Sequence, residues 1–227
     1  MSAPSSHLRV CGRLPILHSD RVVGSTGKAV FVSIGLVAVL IAGVAFGLYQ
    51  AASRPAPEAV AAARHRLDQL PPNEREEIRG LAVVDFSRPG WHRRLALYDH
   101  SGDLVGTYLV AHARNSGDHV SAISFSNEMD SNQSSLGLYR VLHLYDGEHG
   151  PALRLEGLDP GINDRAFERD IVIHGADYVS FGSILENLFS GKGPGVGRSL
   201  GCPAVSFAAR DEVVQELSDG GYLFIHR

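Results

Sequence analysis

An uncharged apolar run near the N-terminus constrains this chain more than any other feature of its sequence. Residues 29–49 carry no charged side chain, and the run matches the ~20 residues that an α-helix needs to cross the hydrocarbon core of a bilayer. The run therefore predicts a basic leader at 1–28, one transmembrane helix at 29–50, and a separate folded part after it.

Charge in the leader predicts the orientation of that helix. Four basic residues stand there against a single acid, Asp20, and an excess of Lys and Arg holds a flanking segment in the cytoplasm. We therefore expect a single-pass protein of the cytoplasmic (inner) membrane. The chain beyond residue 50 would lie in the periplasm or another extracytoplasmic space.

A cleaved signal peptide is the alternative. Residues 51–53, Ala-Ala-Ser, are small enough for a signal peptidase, but the apolar run exceeds the ~7–15 residues of a typical signal core, which favours an uncleaved anchor. In either case Cys202 is the only cysteine outside, since Cys11 belongs to the leader. A thiol with no partner in that compartment is exposed to oxidants, so we expect it to have a chemical use.

The exterior part is long enough for one domain with its own core. The formal net charge of −4 gives no basic face that would indicate nucleic-acid binding. Residues 51–80 are rich in Ala, Pro, Arg and Glu and predict a partly helical spacer, with apolar residues at helical spacing from Val60 to Leu70.

Short β-rich runs separated by turn residues dominate residues 81–227. Two stretches, 183–189 and 208–217, have helical periodicity instead. We therefore predict a mainly β domain with a few helices. The predicted strands are 81–86, 94–98, 104–110, 137–144, 152–155, 171–173 and 222–225.

Cys202 lies in the run Gly-Arg-Ser-Leu-Gly-Cys-Pro at 197–203. A thiol becomes a useful nucleophile when an imidazole or aligned N–H groups lower its pKa, and acyl transfer needs N–H groups that face the oxyanion. Gly201 lets the backbone turn closely around the sulfur, whereas Pro203 has no amide hydrogen. Oxyanion donors must then come from Cys202 or from earlier residues.

The candidate base is His174, at the end of a predicted buried strand and directly before Gly175. A strand fixes the ring while the following loop leaves it accessible. Periodicity alone favours a structural role for a histidine in such a position, and the spacing between His174 and Cys202 is not itself diagnostic.

Four motifs in order provide stronger evidence: Ser-Ser-Leu-Gly-Leu-Tyr at 134–139, Arg-Leu-Glu-Gly-Leu at 154–158, Ile-His-Gly-Ala-Asp-Tyr-Val at 173–179, and the run at 197–203. In this combination the sequence resembles the L,D-transpeptidase catalytic domain, specifically the branch of murein L,D-transpeptidase catalytic domain proteins. The resemblance covers roughly residues 81–227. It implies a mixed β-sandwich or barrel.

The resemblance also implies a cysteine acyltransferase that acts on peptidoglycan stem peptides and needs no cofactor. Cys202 corresponds to the nucleophile, His174 to the base, and the carbonyl of Gly175 to the group that orients the imidazole. The motif positions around the nucleophile, where the oxyanion site is expected, are Ser199, Leu200 and Gly201.

In the implied reaction, the thiol attacks the carbonyl at the L-centre of diaminopimelate in a tetrapeptide stem and expels D-Ala. An amine of a neighbouring stem then resolves the thioester. Carbapenems are expected to acylate the same thiol. Many family members have a histidine where this chain has Leu200 and an Asn or Arg where it has Ala204, departures that question the substrate more than the activity.

Three residues that flank the motifs, Asp177, Tyr178 and Arg198, are candidates for holding a charged stem peptide, and surface ion pairs or turns are the alternative roles. No metal site is predicted, because the histidines that could join His174 lack close ligand spacing. Those histidines are His112, His119, His143 and His149.

Two other functions stay open on the sequence alone. Water could resolve the same acyl-enzyme, which would make the protein an L,D-carboxypeptidase or a hydrolase. The domain could also be a non-catalytic module that binds the cell wall, although the presence of both His174 and Cys202 disfavours this.

Overall fold

The structure, a computed structural model, describes residues 25–147 and 150–227. Most of the leader, including Cys11, and His149 lie outside the described residues. The chain divides into two compact units, one ending at Gly47 and the other covering Leu48–Arg227.

Helix α1 (Ser25–Ala52) contains the apolar run. Its segment Phe31–Gln50 is long and apolar enough to cross a membrane by length and composition, a property that an N-terminal signal sequence shares. The helix follows from an uninterrupted apolar sequence without proline.

One sheet of eight strands forms the second unit, in the order β3-β2-β1-β8-β4-β5-β6-β7. Neighbouring strands are antiparallel except for the pairs β1·β8 and β6·β7, which are parallel. The strands are β1 (Gly80–Asp85), β2 (Leu95–Tyr98), β3 (Leu104–Tyr108), β4 (Gly137–Gly147), β5 (Gly150–Gly157), β6 (Val172–Gly175), β7 (Ala204–Val205) and β8 (Gly221–His226).

The two edges of this sheet approach each other. The N–H of Ala111, just after β3, donates to the carbonyl of Ala204 in β7 over 2.8 Å. The sheet is thereby a nearly closed barrel. The predicted mainly β fold with a few helices is confirmed, and an apolar helix precedes it.

The remaining helices are short: α2 (Pro57–Asp68), α3 (Pro72–Glu76), α4 (Phe181–Phe189) and α5 (Phe207–Leu217). Ser206 caps the N-terminus of α5, since its Oγ accepts a hydrogen bond from the N–H of Ala209. Its buried residues Ala209, Val213 and Leu217 recur every four positions and join the main core. Burying one such large apolar side chain stabilises the fold by about 1.5–3 kcal/mol.

Helix α2 packs on the opposite face of the sheet. Successive residues of β1 alternate, so that Ala82 and Val84 enter the main core while Leu81 and Val83 face α2. The α2 residues in this second core are Ala59, Ala63 and Leu67. The segment between residues 51 and 80 is therefore packed against the sheet rather than standing apart from it.

Candidate active site

The parallel pair β6·β7 brings the candidate base and nucleophile to one place. His174 lies opposite Ala204 in the register, and Cys202 precedes Ala204 by two residues. Ile173 enters the main core, so the alternation of the strand turns His174 to the other face. There His174 and Cys202 border the same cleft.

The cleft has a volume of about 570 Å³. Such a volume falls in the range of small-molecule sites, ~300–1,000 Å³. Its walls contain several cationic and aromatic side chains. Besides His174 and Cys202, these side chains are Tyr145, Arg154, Arg169, Tyr178 and Arg198.

The Cys202 side chain is partly buried, and its Sγ lies 3.7 Å from the carbonyl oxygen of Asp170. Burial raises the pKa of the Cys202 thiol, opposed by the N–H of Val172, the Arg169 charge and the N–H of Cys202 itself. Because burial is the largest of these effects, the resting thiol is protonated at neutral pH. It therefore needs a base to become a nucleophile.

His174 is buried, and its Nδ1 lies 2.9 Å from the carbonyl oxygen of Gly175. A carbonyl oxygen can only accept, so Nδ1 carries the hydrogen and Nε2 is the basic nitrogen. A Cβ on Gly175 would lie 2.5 Å from the Phe207 ring. The absence of that atom allows α5 to pack directly against the backbone that orients the imidazole.

Ser199 fixes the turn that carries Cys202. Its Oγ donates to the carbonyl of Cys202 over 2.6 Å and accepts from the N–H of Gly201 over 3.3 Å. Gly201 has φ +151°, and a Cβ there would lie 2.8 Å from the end of the Ile171 side chain. The N–H of Gly201 is thus engaged by Ser199, whereas the N–H of Cys202 lies beside the sulfur.

Of the other predicted site residues, all but Asp177 border the cleft. Leu200 is exposed and borders the cleft, as do Tyr178 and Arg198. Burial, with the nearby Cys202 and Asp177, raises the pKa of Tyr178 to about 12, so its hydroxyl stays protonated. Asp177 is exposed and lines a neighbouring pocket with His119 and Lys192 instead.

Arg198 is held in place by backbone oxygens. Its Nη1 donates to the carbonyl of Gly117 over 2.7 Å and to that of Arg114 over 3.1 Å. These bonds fix the charge without neutralising it, so Arg198 presents a positive charge at the wall of the cleft.

Two serines of the motif at 134–139, to which the sequence assigns no role, lie behind the site. Ser134 Oγ donates to the carbonyl of Gly201 over 3.4 Å, and Ser135 Oγ accepts from Arg169 over 3.2 Å and from the Tyr139 hydroxyl over 2.8 Å. Arg169 itself was also missed. No sequence signal could have found it, because its acceptors are serine hydroxyls and backbone carbonyls.

His112, one of the histidines considered for a metal, is occupied by protein groups. Its Nδ1 accepts from Arg94 Nη2 over 2.8 Å, and its Nε2 donates to the carbonyl of Asp118 over 2.7 Å. Burial, together with the Arg94 charge, lowers the pKa of His112 to about 3. Among residues 25–147 and 150–227, no group of three or more His, Cys, Asp or Glu side chains could hold a metal ion.

Comparison with solved structures finds similarity to L,D-transpeptidases at low identity. The L,D-transpeptidase from Mycobacterium smegmatis is 11% identical with a TM-score of 0.39, and the alignment covers 66% of this chain and 59% of that one. The enzyme from Stackebrandtia nassauensis is 10% identical (TM-score 0.39, 73% and 64% covered). L,D-transpeptidase 3 from Mycobacterium tuberculosis, in complex with a faropenem-derived adduct, is 12% identical (TM-score 0.38, 65% and 60% covered).

Comparison with protein families gives a more specific result. No curated protein matches the chain. A family model described as L,D-transpeptidase catalytic domain matches residues 52–226, which is more than half of the sequence. This match confirms the resemblance found in the four motifs. The chain belongs to the L,D-transpeptidase catalytic domain family.

Proposed function

We propose that this protein is an L,D-transpeptidase, a cysteine acyltransferase that cross-links peptidoglycan stem peptides. The observation that carries the proposal is the shared cleft of Cys202 and His174, in which the Gly175 carbonyl fixes the tautomer of the imidazole. A nucleophile, a base within one cavity and a group that orients the base are the three parts that nucleophilic acyl transfer requires.

In the acylation step, Cys202 Sγ attacks the carbonyl carbon at the L-centre of diaminopimelate as its proton passes to Nε2 of His174. The S–C bond forms, the C–N bond to the terminal D-Ala breaks, and the imidazolium returns the proton to the departing amine. The N–H of Cys202, which lies beside the sulfur, is the donor proposed for the oxyanion. The product is a thioester on Cys202 and free D-Ala.

In the second step, the side-chain amine of a neighbouring stem attacks the thioester. His174 accepts the proton of that amine and returns it to the departing sulfur, so that the thiol is regenerated and an amide joins two diaminopimelates. If water takes the place of the amine, the same steps yield a tripeptide stem, which is the carboxypeptidase reaction.

The charges of the cleft suit an anionic peptide. Arg198 presents a positive charge at the wall, and Arg154 lies on the same cavity, although its charge is paired with Asp170 over 2.6 Å. Stem peptides carry free carboxylates, which a guanidinium binds in bidentate geometry. Tyr178 adds a neutral hydroxyl donor on the same wall.

The decisive experiment incubates the full-length protein in detergent with purified tetrapeptide muropeptides and follows the products by liquid chromatography and mass spectrometry. D-Ala and cross-linked dimers should appear with the wild type and be absent with Cys202→Ala. Tripeptide monomers without dimers would replace the transpeptidase by the carboxypeptidase. Failure to release D-Ala, or release by the Cys202→Ala variant, would reject the acyltransferase altogether.

A carbapenem tests the nucleophile without a stem peptide. We expect intact-mass spectrometry to show one covalent adduct on the wild type and on Cys11→Ala, and none on Cys202→Ala. An adduct that survives in Cys202→Ala would place the reactive group elsewhere.

We further propose that α1 anchors the protein in the cytoplasmic membrane, with the barrel outside the cytoplasm. The length and composition of Phe31–Gln50 support this, as does the basic leader. Mass spectrometry of the membrane fraction should find the leader still attached. A mature N-terminus near residues 51–53 would instead make the run a cleaved signal peptide.

A further inference from the structure

Arg169 lies beside the nucleophile and is held by neutral groups. Its Nη1 donates to the carbonyl of Ser126 over 2.8 Å and to Ser135 Oγ over 3.2 Å. Its Nη2 donates to the carbonyl of Gln133 over 2.6 Å and to Ser131 Oγ over 3.3 Å. None of the ion pairs in the described parts of the chain includes Arg169.

The side chain is also close to the reacting atoms. Arg169 borders the same cleft as Cys202, and its Nη2 would lie 3.6 Å from a Cβ placed on Gly201, the residue before the nucleophile. Four bonds to the 126–135 segment fix the guanidinium there, because a planar fork with several acceptors has little freedom to rotate. Arg154, by contrast, turns its charge to Asp170.

Other charged and titratable groups also face the sulfur. Asp170 opposes the formation of a thiolate, and Tyr178 lies across the cleft with its hydroxyl protonated. Burial is the largest effect on Arg169 and lowers its pKa, as does the Arg165 charge, while the neighbours Tyr139, Cys202 and Glu128 favour the charged form. Arg169 is thus the cation that favours an anionic sulfur, whereas Arg154 is paired with Asp170 and Arg198 is bound to the carbonyls of Arg114 and Gly117.

We infer that Arg169 is a positioning residue of the proposed acyl transfer, whose fixed charge stabilises the Cys202 thiolate and whose bonds hold the 126–135 segment behind the nucleophile. The inference rests on the proposed function for its role in turnover. The division of labour follows from chemistry: His174 receives the proton of the thiol, whereas Arg169, which is always protonated, can only stabilise the charge left on sulfur.

The test is the pH dependence of Cys202 alkylation by iodoacetamide in the full-length protein, in a Cys11→Ala background. Removing the charge with Arg169→Gln or Arg169→Met should move the midpoint of alkylation upward by about one pH unit and slow alkylation at pH 7 about tenfold, since one unit changes the thiolate fraction tenfold. Two uncharged variants are used so that one suffices if the other misfolds.

Two further variants separate charge from structure. Arg169→Lys keeps the charge but loses the fork, so its midpoint should stay near that of the wild type. Arg165→Gln is the matched control: Arg165 lies four residues earlier and contacts Glu128 and Glu168, and its loss should leave the midpoint unchanged. Circular dichroism verifies that each variant is folded.

The inference would be overturned if folded Arg169→Gln or Arg169→Met kept the alkylation midpoint of the wild type. It would also be overturned if Arg169→Lys shifted the midpoint as far as the uncharged variants do. Alkylation does not depend on a stem peptide, so failure of the inference about Arg169 can be distinguished from failure of the proposed function. A shifted midpoint without D-Ala release would reject the transpeptidase and keep the effect of Arg169 on the thiol. Release of D-Ala with no shift would do the reverse.

Discussion

The interior of the barrel and the cleft each contain an arginine and a buried histidine, but they use them differently. In the interior, Arg94 is fully buried and donates to two backbone carbonyls and to Nδ1 of His112, while Nε2 of His112 donates to the carbonyl of Asp118. Arg169 and His174 instead border the cleft that also contains the Cys202 thiol. The first pair is enclosed by protein groups, whereas the second pair borders an open cleft.

Perturbed pKa values do not distinguish these two regions. Burial lowers the pKa of Arg94 to about 9 and that of His112 to about 3, although neither borders the cleft. The shift records the cost of desolvation in both places. A functional site is marked by a shifted group together with a cavity and a reactive partner, which is the combination at Cys202.

The largest expected effect separates the two histidines. His174→Gln should reduce the rate of carbapenem acylation per folded molecule by about 10²–10⁴-fold, because glutamine cannot accept the thiol proton. His112→Gln should leave that rate unchanged and lower the free energy of unfolding by about 1–3 kcal/mol, since its buried partners lose hydrogen bonds. Rates come from time-resolved intact-mass spectrometry, and unfolding free energies from urea titration. Equal losses of rate in both variants would erase the distinction.

The next effect concerns Arg94. Arg94→Met should lower the free energy of unfolding by about 3 kcal/mol, because it leaves buried carbonyls without a donor and removes a positive charge near the buried Asp85. Arg93→Met is the matched control, as Arg93 is the preceding residue and only half-buried, and its loss should cost less than about 1 kcal/mol. If Arg93→Met lowered the free energy of unfolding more than Arg94→Met, Arg94 would not have the stabilising role assigned to it.

Local patterns in the sequence predicted most of the elements of the fold. A short β-rich run predicted β1, and the spacing from Val60 to Leu70 predicted α2. The partner of α2 could not be predicted, because the face of β1 that receives it depends on the register of a long-range parallel pair, β1·β8. Periodicity reports which side of an element is buried and not what covers it.

The candidate site was predictable only in part, for a related reason. Cys202 and His174 stand in motifs whose order is specific, and both line the cleft. Arg169 stands in a turn without periodicity, and its acceptors are serines and backbone carbonyls, which leave no pattern in a sequence. Asp177 illustrates the converse, since a position next to a motif did not bring its side chain to the cleft.

The smallest expected effect is a dependence of stability on pH that belongs to the interior. The pKa of His112 is about 3 in the folded protein, against an ordinary value of ~6.5 for a histidine. Between these values the unfolded chain binds more protons, so the stabilisation is present above pH ~6.5 and is lost as the pH falls toward 3. From pH 7 to pH 5.5 this residue should account for a loss of about 1 kcal/mol in the free energy of unfolding.

Urea titrations at the two pH values test this assignment. Burial also lowers the pKa values of His92 and His119, so these residues make both the wild type and His112→Gln less stable in acid. The wild type should lose more free energy of unfolding than His112→Gln, because only the wild type has the contribution of His112. Acylation depends on the proposed base His174 instead, so its dependence on pH should persist in His112→Gln. If His112→Gln kept the full pH dependence of stability, or lost that of acylation, the interior histidine could not be the purely structural one of the pair.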